Sequence, residues 1–296
     1  MAISRVTQSM MTERSLSSLQ TSLGRLAGIQ ERISTGRELN RPSDSPTGTT
    51  AAMRLRSALA DQQQYARNAE DGLGWLNTLD ATLRGANDEL RRARDLAVQG
   101  VNGALGPQAR EALATEVEQI RERMLAAGNT TYLGRPVFGG VTNRSVAYDS
   151  GTADWVGTPG SVNRTVADGI VVDVQVAGPK AFGPDGGNVF DHLEQLAADL
   201  RAGNIGNVQA HVGALNADMD RVTGALADVG TRAARIEQAV QRAKDAELDL
   251  TSSLSEVENT DLPKAIVELQ MQEVAYQAAL AATSRVLQPS LVDFLR

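Results

Sequence analysis

Apolar residues spaced alternately four and three apart constrain this chain more than any other feature. From Val208 the ladder passes through Val212, Leu215, Met219, Val222, Leu226, Val229, Ala233, Ile236, Val240, Ala243, Glu247, Leu250, Leu254 and Val257. Fourteen of these fifteen positions are apolar. A strand alternates its faces every two residues, so it cannot use such a pattern. A repeat of 3.5 residues instead draws one seam along a helix that packs on other helices. At 1.5 Å per residue, residues 204–258 would form a helix about 80 Å long.

Four shorter ladders repeat the theme. One runs Leu76, Leu79, Leu83, Ala86, Leu90, Ala93 and Ala97, with an upstream arm at Leu55, Leu59, Ala66, Ala69 and Leu73. Gly100 and Gly103 should end that helix, and Pro107 suits the first turn of the next. The next ladder is Leu113, Val117, Ile120, Met124 and Ala127, closed by Gly128-Asn129. Near the start the pattern reads Leu16, Leu19, Leu23, Leu26, Gln30 and Ile33, stopped by Gly36. Near the end it reads Leu262, Ile266, Leu269, Glu273, Tyr276, Leu280, Thr283 and Leu287, with Thr260 or Asp261 as cap and Pro263 in the first turn.

Residues 135–187 break the helical period. They carry Pro136, Pro159, Pro179 and Pro184 and many glycines, and Ile170, Val172, Val174 and Val176 alternate with Val171, Asp173 and Gln175. Alternation of that kind predicts a strand. The expected fold is mainly α: an elongated antiparallel helical bundle or coiled-coil rod made from both chain halves, with a small β-rich insertion. The expected domains are a terminal helical assembly domain (1–50 and 258–296), a helical bundle rod domain (51–134 and 188–257) and a β-rich outer insertion domain (135–187).

Composition excludes several function classes. Aromatic residues make up only 3% of the chain, which suits thin helix–helix seams better than the thick core of an enzyme. The chain has no cysteine, so disulfides and thiolate zinc sites are ruled out. A net charge of -7 argues against nucleic-acid binding. Residues 1–60 hold eight arginines against four acids, however, and residues 185–260 hold thirteen acids against six bases. That asymmetry favours contact between the two ends, or between copies of the chain. No apolar run is long enough to span a membrane, and the N-terminal residues lack the apolar core of a cleaved secretory signal. The only histidines are His192 and His211. Neither belongs to a metal or triad motif, and His192, beside an expected helix start, is read as solvated or capping. The basic cluster Arg91-Arg92-x-Arg94 reads as a solvated helix face with ion pairs. No catalytic, cofactor or metal site is expected.

Three local patterns, in this order, resemble the bacterial flagellin superfamily. Ile33-Ser34-Thr35-Gly36-Arg37-Glu38-Leu39-Asn40-Arg41-Pro42-Ser43-Asp44-Ser45-Pro46 is similar to the family's helix stop, Asn/Pro/Asp loop and helix restart. Asn129 through Gly140, ending Val137-Phe138-Gly139-Gly140, looks like the passage from rod to outer domain. Val257-Glu258-Asn259-Thr260-Asp261, with the terminal helix and Ser290-Leu291-Val292-Asp293-Phe294-Leu295, looks like the family's C-terminal end. The resemblance covers roughly residues 1–140 and 188–296.

The resemblance implies a structural, non-enzymatic component of the extracellular bacterial flagellum, needed for motility and exported without a cleaved signal peptide. Within the superfamily, the Asn40–Pro46 loop, the segment Asn188-Val189-Phe190-Asp191-His192-Leu193 and the ending Leu291-Val292-Asp293-Phe294-Leu295 favour the ring-forming junction branch, between hook and filament, over filament flagellin. The terminal Leu-Arg is flagellin-like, so filament flagellin stays open as the alternative; a signalling coiled-coil rod is more distant. The implied partners are copies of the chain itself, the first hook-associated junction protein, filament flagellin, and a cytoplasmic export chaperone on the C-terminal helix. The expected assembly residues are Leu16, Leu19, Leu23, Leu26, Ile33, Leu262, Ile266, Leu269, Tyr276, Leu280, Leu287 and Phe294.

Overall fold

Glycine and proline punctuate the chain into helices where the ladders end. The computed structural model describes residues 2–287, with side chains at residue 10 and from 13 to 284. Helix α1 covers Ala2–Thr35, α2 Pro46–Gly100, α3 Pro107–Gly128, α5 Val189–Ala202, α6 Ile205–Glu258 and α7 Leu262–Leu287. A five-residue helix, α4, covers Gly178–Phe182. Gly36 sits at φ +69°, a backbone conformation that stops α1 cheaply only in glycine. Ser45 Oγ accepts the Gly48 amide at 3.1 Å and Pro46 opens α2. Of the two residues able to cap α7, Asp261 does so, accepting the Lys264 amide at 3.1 Å.

The described chain divides into two compact units. One is drawn from Met1–Ala60 and Leu248–Arg296, the other is Asp61–Glu247. In the second unit α2, α3, α5 and α6 share one hydrophobic core. Gln63 Nε2 donates to Glu247 Oε1 and Asn87 Nδ2 to Thr223 Oγ1, both at 3.0 Å. An advance of 24 residues along α2 thus matches a retreat of 24 along α6, which fixes an antiparallel register. The first of these bonds accounts for the one polar rung of the long ladder: Glu247 faces a glutamine.

Every rung from Val208 to Val257 is buried or half-buried, and Val208, Leu215, Val222, Val229, Ile236 and Ala243 are buried at seven-residue intervals. Asp218, Ala225 and Ala239 are buried as well, three residues beyond a rung. That widens the stripe from a two-helix seam to the face of a bundle helix with neighbours on two sides. All seven α2 rungs from Leu76 to Ala97 are buried. The Arg91–Arg94 cluster is an ion-paired face, with Arg92 2.7 Å from Glu116 and Arg94 3.1 Å from Asp95.

Regular β-structure is sparse. Strands β1 (Thr131–Tyr132) and β2 (Arg135–Pro136) form one antiparallel hairpin, and β3 (Asn163–Ala167) and β4 (Ile170–Asp173) form another. The predicted alternation survives in part: β4 ends at Asp173, while Val172, Val174 and Val176 are all buried. The rest of the segment between α3 and α5 is loop. It is held by Phe138, Tyr148, Phe182 and Phe190, whose rings meet at centroid distances of 4.9–5.9 Å. Phe190 belongs to α5, so the insertion shares its core with the helices. Burial raises the Tyr148 phenol above the ordinary tyrosine range.

His192 is neither solvated nor a cap. Its Nδ1 lies 2.7 Å from Asp218 Oδ2, a carboxylate only 1% exposed, and Asn188 caps the helix instead. The sequence gives no sign of that bond because its partner lies 26 residues away on another helix.

Candidate assembly surface

In the unit formed by the two chain ends, α1 and α7 pack antiparallel. As the chain runs back from Gly36 to Ser22 it meets the chain running forward from Thr260 into α7 as far as Gln272. The Thr260 amide donates to Gly36 O at 3.0 Å, Arg32 pairs with Glu268 at 3.1 Å, and Gln272 Nε2 donates to Ser22 O at 3.3 Å. The loop between α1 and α2 is built on polar side chains. Asp44 Oδ2 accepts the amides of Asn40 and Arg41 at 3.1 and 2.7 Å, and Asn40 Nδ2 donates to Arg37 O at 3.1 Å. Glu38 links both ends, accepting from Arg32 at 2.7 Å and from Thr260 Oγ1 at 3.0 Å while its amide donates to Glu258 O at 2.7 Å. Glu258 is itself buried and lies 2.8 Å from Arg56.

The inward stripe of each end helix keeps the 4-3 spacing in a register the sequence does not single out. On α1 it is Ser15, Leu19, Ser22, Leu26, Ile29 and Ile33; on α7 it is Ala265, Leu269, Gln272, Tyr276, Ala279 and Thr283. All twelve are buried or half-buried. The expected assembly residues therefore split. Leu19, Leu26, Ile33, Leu269 and Tyr276 belong to both registers and are half-buried. Leu16, Leu23, Leu262, Ile266 and Leu280 are exposed, Leu23 by 51% and Leu280 by 44%. Phe294 lies outside the described residues, as does the side chain of Leu287.

Sequence reasoning missed part of the exposed face. Val267, Met271 and Val274 are 55%, 64% and 66% exposed, and they too are spaced four and three apart. Pro263, Lys264, Val267 and Met271 line an open apolar groove of about 630 Å³. The signal was present, since α7 is apolar on more than one face. An end helix of this kind offers one stripe to its partner and leaves a second without cover, which marks a surface for further association. The exposed stripe offers apolar contact area, and Asp261 and Glu268 line the same groove beside Lys264. Among the described residues, no group of three His, Cys, Asp or Glu could hold a metal ion, and no helix is long and apolar enough to cross a membrane.

Comparison with known proteins fits this geometry. Residues 3–143 match the bacterial flagellin N-terminal helical region and residues 207–295 the bacterial flagellin C-terminal helical region. The chain belongs to the bacterial flagellin family. Among its relatives, flagellar hook-associated protein 3 of Salmonella typhimurium is 25% identical over 93% of this chain and 94% of that protein. Phase 1 flagellin of Salmonella naestved is 29% identical, over 66% of this chain and 35% of that protein. The same fold occurs in the solved structure of a flagellar hook-associated protein from Vibrio parahaemolyticus (TM-score 0.68, 22% identity), which covers 73% of this chain and 100% of that one.

Proposed function

We propose that this chain is a structural subunit of the bacterial flagellum: a hook-associated protein that forms a ring at the junction between hook and filament and is needed for motility. The observation that carries the assembly part is the α1–α7 pair, in which each helix spends one apolar stripe on the other and keeps further apolar residues exposed. Each of these side chains is about half exposed, so covering the remainder by a neighbouring subunit contributes about half of the roughly 1.5–3 kcal/mol of full burial. Leu16 and Leu23 on α1, with Leu262, Ile266, Val267, Met271, Val274 and Leu280 on α7, are the contacts to neighbours. Leu19, Leu26, Ile33, Leu269 and Tyr276 hold the pair together within one subunit. Leu287 and Phe294 are further candidate contacts in this proposal.

End-to-end similarity favours the junction role. The hook-associated relative is matched over nearly all of its length, whereas flagellin is matched over about a third. On this reading the neighbours are other copies of the chain, the first hook-associated junction protein and filament flagellin. A cytoplasmic chaperone covers the C-terminal helix before export. The chain catalyses no reaction. Filament flagellin is the second reading, favoured by its local identity of 29%. Subunit counting on isolated flagella separates the two: a fluorescently tagged chain gives one spot at the end of the hook if it is a junction ring. Label along the whole filament would overturn the proposal.

A further inference from the structure

Both histidines of the chain bond to aspartates between α5 and α6, and they do so reciprocally. His192 of α5 meets Asp218 of α6 at 2.7 Å, and His211 of α6 meets Asp199 of α5 at 2.9 Å. On each helix the two partners are seven residues apart, so the pairs are successive rungs of one antiparallel seam with the residue types exchanged. Asp199 also accepts from Asn204 and Asn207 at 3.0 and 3.1 Å, across the turn joining the helices, and Asp218 accepts from Arg221 at 2.6 Å. Although burial opposes it, these hydrogen bonds keep Asp199 below the ordinary carboxylate range. Both ends of α5 are closed locally, by the reciprocal capping bonds of Asn188 and Asp191 and by Gly203 at φ +73°.

We infer that the α5–α6 hairpin is a clasp that forms before the rest of its unit and presents the surface on which α2 and α3 then dock. Sequence separation supplies the first reason. The clasp bonds span 5 to 26 residues, whereas the bonds tying α2 to α6 span 136 and 184. By the three-halves power of loop length, closing 184 residues is about twentyfold less probable than closing 26. Burial supplies the second. The α2–α3 hairpin is also local, but its ion pairs Arg92–Glu116 and Arg123–Glu89 lie at the surface, where such pairs contribute little. The clasp aspartates are covered, with Asp218 1% and Asp199 18% exposed at the side chain. Their partners His192, Asn204, Asn207, His211 and Arg221 all lie within the hairpin or its turn, so these bonds need no residue of α2.

The test is pulse-labelled hydrogen exchange during refolding of the full chain from denaturant. Amides of α5 and of residues 206–230 gain protection in the first phase, and those of residues 72–97 in a later one. Asp199→Asn slows the first phase roughly tenfold, the scale of losing charge-assisted hydrogen bonds in a nucleus, and leaves unfolding nearly unchanged. Gln63→Ala speeds unfolding and leaves the first phase alone. Protection of residues 72–124 ahead of the hairpin, simultaneous protection of all four helices, or an Asp199→Asn effect confined to unfolding would each overturn the inference. The first two outcomes are read on the unmutated chain, so a variant that fails to fold does not remove the test.

Discussion

Leu280 and Leu269 lie eleven residues apart on α7, and replacing each with aspartate separates the two kinds of seam. Leu280 is 44% exposed in the single chain, so a little over half of its surface is already covered. Taking roughly 1.5–3 kcal/mol for full burial of a leucine, Leu280→Asp costs the isolated subunit about 1–1.5 kcal/mol. In an assembly the exposed remainder would be covered too, and a carboxylate would have to leave water without a partner. That penalty reaches several kcal/mol and recurs at every subunit contact. Leu269 faces α1 among half-buried neighbours. Leu269→Asp places its charge inside the α1–α7 pair and opens it before any neighbour arrives. Hydrogen exchange on the purified monomer reads the first effect, and filament attachment in complemented cells reads the second. Leu280→Asp should lower protection of residues 15–33 and 262–283 by no more than about tenfold, the scale of that loss of about 1–1.5 kcal/mol, while filaments are lost; Leu269→Asp should lose both. Normal swimming with Leu280→Asp would refute the division into inner and outer stripes.

Three further outcomes follow from the other unit. Ile236→Ala removes a fully buried rung and should cost about 2–5 kcal/mol in chemical denaturation, with the transition of residues 61–247 shifting as a whole. Replacing Gln63 and Glu247 together by leucine removes both partners of one polar bond, so thermal stability should stay level or rise, whereas Gln63→Leu alone should lower it. The hydrogen bond from Arg201 depresses the Glu118 carboxyl, and that from Lys180 depresses Asp228. Their folded values lie below their unfolded ones, so this stabilisation is present above the ordinary carboxylate range and is lost as pH falls through the depressed values. Arg201→Ala should therefore lower the neutral plateau of a stability–pH profile by a small surface term and flatten the acid limb by the same amount, with the two profiles meeting below the depressed values.

Helix boundaries and the long seam were legible because both rest on local physics. Gly36, Gly100, Pro107 and Pro46 act through their own backbone, and a ladder of fifteen rungs leaves one face to bury. The choice of stripe on the end helices was less legible. Two 4-3 registers share Leu19, Leu26, Ile33, Leu269 and Tyr276. The inward one includes Ser15, Ser22 and Gln272, so hydrophobicity alone selects the outward residues Leu16, Leu23 and Leu280. A small or polar residue suits a close helix–helix approach, which a single sequence does not announce. The His192–Asp218 and His211–Asp199 bonds were hidden for a different reason: they join helices whose relative register is fixed only after folding. The aromatic cluster gathers residues from 138, 148, 182 and 190, too widely spaced to form any period.

Deletion of the chain's gene, followed by electron microscopy of the cells and assay of the culture medium, tests the junction role most directly. Cells lacking the chain should carry hooks without filaments and shed flagellin into the medium, with filaments restored by the intact chain and not by Leu280→Asp. Cells that keep full-length filaments, or that lose filaments with no flagellin released, would contradict it.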